Sequence, residues 1–141
     1  MRKRRNEAPP LSPLTWNPQV VPTSRVRRAI LRDGSRPNEE REAAFRRIIL
    51  SIPPGKVSTY GKVAAAAGYP LYHRAVARLL RMDPADSLPW HRVLGAGGVI
   101  KLRNDAAIEQ RRRLRMEGVK FLGQRVDMER CEHALRSWEA L

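Results

Sequence analysis

The sequence predicts a mainly α-helical domain with a small β hairpin, built around a winged-helix-like helix-turn-helix. Three observations predict it. Apolar residues recur at helical spacing in separate stretches, two short helical patterns are divided by the turn signal "AGYP", and a single glycine-rich run, "HRVLGAGGVIKL", interrupts them. A chain of 141 residues has room for one modest domain.

Residues 1–37 hold six of the eleven prolines, and nine basic residues against Glu7 and Asp33. Proline at that density without a sustained pattern predicts a flexible, extended tail, either a solvated leader or a basic arm for phosphates. The domain proper is expected over 38–141. In "PNEEREAAFRRIILSIPPG" Asn38 suits an N-cap, Glu39 and Glu40 suit the first turn, and Phe45, Ile48, Ile49 and Ile52 form an apolar stripe. Pro53, Pro54 and Gly55 end it.

Two short helices follow in "KVSTYGKVAAAAGYPLYHRAVARLLRMDP". The first runs from a Ser58 or Thr59 cap to about Ala67, where Gly68 stops it; the second covers about Leu71 to Met82, with Pro84 beyond. In the second, Val76, Leu79 and Leu80 are the buried stripe, while Arg74, Ala77, Arg78 and Arg81 recur at i, i+3, i+4, i+7 on the other side. Such a face suits either plain solvation or close approach to a duplex. Lys and Arg number 28 against 14 acidic residues, a net charge of +14, which favours the duplex.

Downstream, "HRVLGAGGVIKL" predicts a hairpin or a wide loop, and "NDAAIEQRRRLRMEG" a helix capped by Asn104 or Asp105 and stopped by Gly118. "VKFLGQRVDMERCEHALRSWEAL" reads as a short strand and a helical tail. No apolar run approaches the roughly 18–20 residues of a membrane span, and the basic N-terminus lacks an apolar stretch behind it, so a soluble intracellular protein without a membrane partner is expected. The single cysteine, Cys131, excludes an internal disulfide. With no C-x-x-C and with His73, His91 and His133 far apart, neither a metal nor a cofactor is expected.

"PWHRV" at 89–93 sets Trp90 beside an imidazole and a guanidinium, the surroundings of an activated nucleophile, although indole is not one. The run resembles the "PCHRV" motif of the alkylguanine-DNA alkyltransferases with tryptophan in place of cysteine, the mark of the alkyltransferase-like proteins. "GKVSTYGKVAAAAG" is similar to the first helix of that family's helix-turn-helix, "HRAVARLL" to its recognition helix, and "MEG" to its late "EG" pair. The resemblance spans roughly residues 38–122.

It implies the fold of the alkyltransferase C-terminal domain and a recognition helix docked in the minor groove, with Arg74, Ala75, Ala77, Arg78 and Arg81 on the DNA. It also implies a damaged guanine flipped into a pocket of Tyr60, Trp90, Val93, Lys101 and Arg103. Tyr60 matches the tyrosine that helps rotate the nucleotide out; on its residue type alone it is equally a half-buried helix-start aromatic. Arg74 matches the arginine that enters the stack. Flipping costs a few kcal/mol, part of which an inserted guanidinium recovers. His91 and Glu117 match the relay that activates the cysteine, and with Trp90 they become structural remnants, so no catalytic residue is expected. Trp90 either packs beside the flipped base or merely fills the cavity.

Three departures stand out. The segment ahead of residue 38 is expected to be too short for the separate N-terminal domain of the transferring enzymes. Asp83 stands where the family often has asparagine, which puts the bracing of the motif loop in doubt. "GGVIKLRND" differs from the enzymes' loop and makes Arg103, then Lys101, the expected contacts to the modified guanine. The implied protein is a monomeric, non-enzymatic sensor that binds O6-alkylguanine in double-stranded DNA and flags it for nucleotide excision repair proteins. It would be cytoplasmic and nucleoid-associated in a bacterium, nuclear in a eukaryote. The rival is a helix-turn-helix transcriptional regulator reading base edges in the major groove; an enzyme using Cys131 is a remote third.

Overall fold

A computed structural model describes residues 23–83 and 87–136. The domain is mainly helical, and its larger core lies beneath three helices: α2 (Glu39–Leu50), α3 (Tyr60–Ala66) and α4 (His73–Met82). The Asn38 carboxamide accepts the Arg41 amide at 2.9 Å and so caps α2. The stripe Phe45, Ile48, Ile49 and Ile52 is buried, and it meets Val63, Val76, Leu79 and Leu88. Thr59 caps α3 by accepting the Lys62 amide at 3.1 Å. Gly68 then breaks the helix at φ +97°, and Leu71 completes the turn at φ +77°. A left-handed leucine costs about 1–2 kcal/mol, which the packing of α4 on α3 offsets.

A smaller core of Val57, Leu94, Leu114, Val119, Val126 and Cys131 underlies the second half. Between the two cores, β1 (Ser58–Thr59) pairs in parallel with β2 (Val93–Leu94), Ser58 opposite Val93 and Thr59 opposite Leu94. The run expected as a hairpin is therefore the wide loop: a Gly95–Val99 bridge closes it around a 3-10 turn, Ala96–Gly98, while β2 pairs with a strand earlier in the chain. The hairpin lies further on, where β3 (Phe121–Leu122) and β4 (Arg125–Val126) are antiparallel across Gly123-Gln124. Gly123 takes φ +64°, as a two-residue hairpin turn requires. Ahead of it, α5 (Asn104–Met116) starts without a side-chain cap from either Asn104 or Asp105; Arg103 holds the cap position and makes no cap bond. Of the expected helical tail, the described residues form a single short turn, α6 (Met128–Cys131), and residues 137–141 lie outside the described residues. No helix among the described residues is long and apolar enough to cross a membrane.

The expected tail is helical over part of its length. Between Pro22 and Pro37 the chain forms α1 (Ser24–Gly34), capped by Thr23 through the Val26 amide at 3.2 Å, with Ile30 buried. What holds α1 is a buried cation. Arg41 is only 2% exposed, and a guanidinium so buried needs partners. It donates to the Asp33 carboxylate at 3.0 Å and the Arg36 carbonyl at 2.9 Å, and it lies 5.1 Å over the Tyr72 ring. The Tyr72 hydroxyl donates to the same carboxylate at 2.8 Å, and burial together with that hydrogen bond pushes its pKa up to about 12. Phe45, Tyr69 and Tyr72 continue the junction edge to face. Residues 1–22, the remainder of the expected tail, lie outside the described residues.

Asp33 thus ties α1 to α2 and α4. Asp33→Ala is expected to loosen α1 by about 1–2 kcal/mol, since charged hydrogen bonds are lost but the carboxylate is half exposed. Amide hydrogen exchange should accelerate over 24–34 and stay unchanged over 45–52; equal acceleration in both would show that α1 is not a separately held element.

Candidate functional site

The "PWHRV" run is a 3-10 turn, Trp90–Arg92, that feeds directly into β2. Because β2 pairs with β1, and β1 runs into α3, one ladder fixes the motif turn relative to Tyr60 at the start of the helix-turn-helix. Tyr60 is half-buried against the larger core, and burial raises the pKa of its hydroxyl, so it stays a neutral donor at physiological pH.

Glu117 organises the turn from below. Its carboxylate accepts from His91 Nε2 at 2.7 Å, from Arg92 Nε at 3.1 Å and Nη2 at 2.8 Å, and from the Gly55 amide at 3.1 Å. Burial opposes its ionisation, but hydrogen bonds from Arg92, His91 and Gly55 outweigh that and hold the pKa at about 2. An ionised carboxylate can only accept, so His91 carries its proton on Nε2. His91 Nδ1 is buried and has no hydrogen-bond partner among the described residues. The pair expected from the resemblance is therefore physically assembled and ends on the imidazole beside Trp90.

Two residues of this site were not anticipated from the sequence. Gln110, 1% exposed, donates from Nε2 to the backbone carbonyls of His91 and Val93 at 3.2 and 3.1 Å and so clamps the motif loop from α5. Arg113 places its guanidinium 5.0 Å over the Trp90 ring and is itself fixed by Glu109 at 2.7 Å. Their spacing from Asn104 along a helix was visible; their direction toward the motif was not. The half-buried Trp90 also meets the His91 ring edge to face at 6.1 Å.

On α4, Arg74 and Arg81 are exposed, and Ala75, Ala77 and Arg78 are partly buried; all five line one cavity. Ala75 also packs against the larger core. The helix-turn-helix thus brings the expected recognition residues together. Lys101 and Arg103 are exposed on a separate segment before α5, with the Lys101 stem lying over Gly95. Val93 is fully buried in the larger core, so its side chain faces packed interior and not an open pocket. The doubt over Asp83 is resolved: it accepts from the Ser87 hydroxyl at 2.7 Å and the Leu88 amide at 3.1 Å, bracing the chain just before the motif. Burial opposes its ionisation, yet these bonds and Arg46 hold the carboxyl below the usual range. Cys131 is buried in the smaller core, its Sγ accepting the Lys120 amide at 3.4 Å.

A helix-turn-helix with a basic second helix, joined by a two-residue ladder to a braced turn, is a DNA-binding architecture. Residues 40–119 match the family described as 6-O-methylguanine DNA methyltransferase, DNA binding domain. The chain is similar to the DNA base-flipping protein of Vibrio parahaemolyticus, 45% identical over 73 residues, 51% of this chain and 73% of that one. It is 43% identical to alkyltransferase-like protein 1 of Schizosaccharomyces pombe over 70 residues, 49% of this chain and 65% of the relative. The structure of S. pombe Atl1 in complex with damaged DNA containing O6-carboxymethylguanine is similar with a TM-score of 0.63 at 30% identity, covering 70% of this chain and 99% of that one. The chain belongs to the alkyltransferase-like family.

The depressed pKa of Glu117 makes a pH prediction. Its folded value of about 2 lies below the ordinary 4.5, so the stability it contributes is complete above about pH 4.5 and is lost as pH falls through about 2. Glu117→Gln should lower stability at pH 7 by on the order of 2–3 kcal/mol and flatten that stretch of the acid limb. Thermal unfolding followed between pH 2 and 7 checks it; an unchanged acid limb would remove Glu117 from its central place.

Proposed function

We propose that the protein is a non-enzymatic sensor of alkylated DNA. It binds O6-alkylguanine in duplex DNA with α4 in the minor groove, rotates the base out of the stack, and holds it without taking its alkyl group. What carries the reading is Trp90: by the resemblance of "PWHRV" to "PCHRV" it stands where a nucleophile would, beside a Glu117–His91 pair at 2.7 Å. A relay whose nucleophile is missing has no proton to move, but it still fixes the turn. The names of the relatives, a DNA base-flipping protein and a protein crystallised on O6-carboxymethylguanine DNA, support the same activity.

In this proposal Tyr60 assists rotation of the nucleotide and Arg74, exposed on the first turn of α4, fills the gap it leaves. Trp90 offers an apolar surface to the base or its alkyl group, its ring oriented by Arg113. Arg103, with Lys101, meets the modified guanine from the loop. A protein that holds a lesion without repairing it requires a later step that removes the damaged strand, and nucleotide excision repair is the class of reaction that does so.

Binding to one duplex with and without a single O6-methylguanine tests the proposal. Trp90→Ala should reduce lesion affinity roughly tenfold, in line with stacking of about 1–3 kcal/mol per base, and leave affinity for undamaged duplex nearly unchanged. Equal loss on both duplexes would reduce Trp90 to a plug. Arg74→Ala should diminish extrusion reported by a fluorescent base analogue at the lesion. Wild-type affinity that follows flanking sequence and ignores the lesion would make the protein a helix-turn-helix regulator instead.

A further inference from the structure

We propose that α1 and α4 together form a groove that seats one sugar-phosphate strand of the bound duplex, so that α1 is a second DNA-contacting helix. The inference rests on the reading of this protein as DNA-binding and adds an element that lies outside the family segment 40–119.

A cavity of about 420 Å³ runs between the two helices. Ile30 and Leu31 of α1 and Ala75 and Ala77 of α4 give it apolar lining, and Arg74, Arg78 and Arg81 give it basic lining. Apolar surface flanked by guanidinium groups is the complement of deoxyribose flanked by phosphates. The helices come into contact at Gly34, where a Cβ would stand at ordinary van der Waals distance, 3.5 Å, from the Ala75 Cβ.

Charge identifies the occupant. α1 carries Arg25, Arg27, Arg28 and Arg32, all exposed, against one acid, Asp33. That acid is engaged by Arg41 and Tyr72, so it does not neutralise the arginines around the groove. A helix serving to cover the basic face of α4 would present carboxylates to it. α1 presents the same sign, and an anion between or across the two like-charged helices relieves their repulsion. Arg27 stands one helical turn before both Ile30 and Leu31 and two turns before Gly34, and therefore extends the groove-lining side of α1. Because Asp33 fixes α1 on the body of the domain, these charges are held at a set position relative to α4.

The full-length chain is titrated with an undamaged duplex and with the same duplex bearing one O6-methylguanine, at several salt concentrations. Losing one phosphate contact in R27A should reduce the slope of log affinity against log salt by about 0.9, on both duplexes. R25A/R32A, on the side of α1 away from the groove, should leave the slope unchanged. Asp33→Ala discriminates further: it raises net positive charge, so simple electrostatics predicts tighter binding, whereas releasing α1 from its seat predicts weaker binding and a shallower slope. An unchanged slope in R27A, an equal drop per arginine in R25A/R32A, or tighter binding by Asp33→Ala would overturn the groove. Loss of lesion preference in the wild type with these slope effects intact would sink the sensor reading alone.

Discussion

The architecture depends on one carboxylate. Glu117 sits at the end of α5, yet it reaches the Gly55 amide after α2 and both His91 and Arg92 of the motif turn. Arg92 passes the constraint on by donating to the Ile52 carbonyl at 3.0 Å. Three segments far apart in sequence are thereby locked at one point under the turn that carries Trp90. The position of Gly55 is part of the same constraint: it has φ +84°, and a Cβ there would come within 3.2 Å of the Glu117 carbonyl oxygen. A buried, multiply hydrogen-bonded carboxylate is costly to leave half satisfied, so the network holds its geometry whether or not a nucleophile stands beside it.

In the proposed reading, that is how a relay suited to activating a side chain becomes a scaffold. With Glu117 below, Gln110 on the loop carbonyls, Asp83 bracing Leu88, and Arg113 over the indole, the motif turn is fixed from four directions. Rigidity of this kind suits the proposed acceptance of a flipped base, since the ordering cost is met before the base arrives. α4 shares the larger core with β2 through Val76, Leu79 and Val93, so α4 and the motif turn form one packed unit.

Much of this was legible in the sequence, and the exceptions have physical causes. The i, i+3, i+4, i+7 stripe from Phe45 to Ile52 and the caps at Asn38 and Thr59 are local signals, and the structure follows them. At "GAGG" the glycines suit a hairpin or a wide loop alike, and the loop wins because β2 is satisfied by β1, a long-range partner that no local pattern shows. The true hairpin had its signal in Gly123-Gln124, a glycine-first pair between Leu122 and Arg125. α1 was hidden because proline on both sides of 23–36 dominated the composition, and its stability comes from Asp33, Arg41 and Tyr72, which meet only in three dimensions. Among the site residues, Trp90, His91 and Glu117 were readable from the motif, whereas Gln110 and Arg113 act through their direction on α5. Val93 belongs to the motif that the resemblance carries into the pocket, yet both residues of β2 are fully buried, Val93 in the larger core and Leu94 in the smaller.

The central claim is that this site holds an alkylated base and does not react with it. Intact-mass measurement of the protein after prolonged incubation with a stoichiometric duplex containing O6-methylguanine, with analysis of the recovered DNA, tests it most directly. The account predicts an unchanged protein mass and intact lesion. A methyl group gained by any residue, Cys131 included, with guanine restored in the duplex, would contradict it.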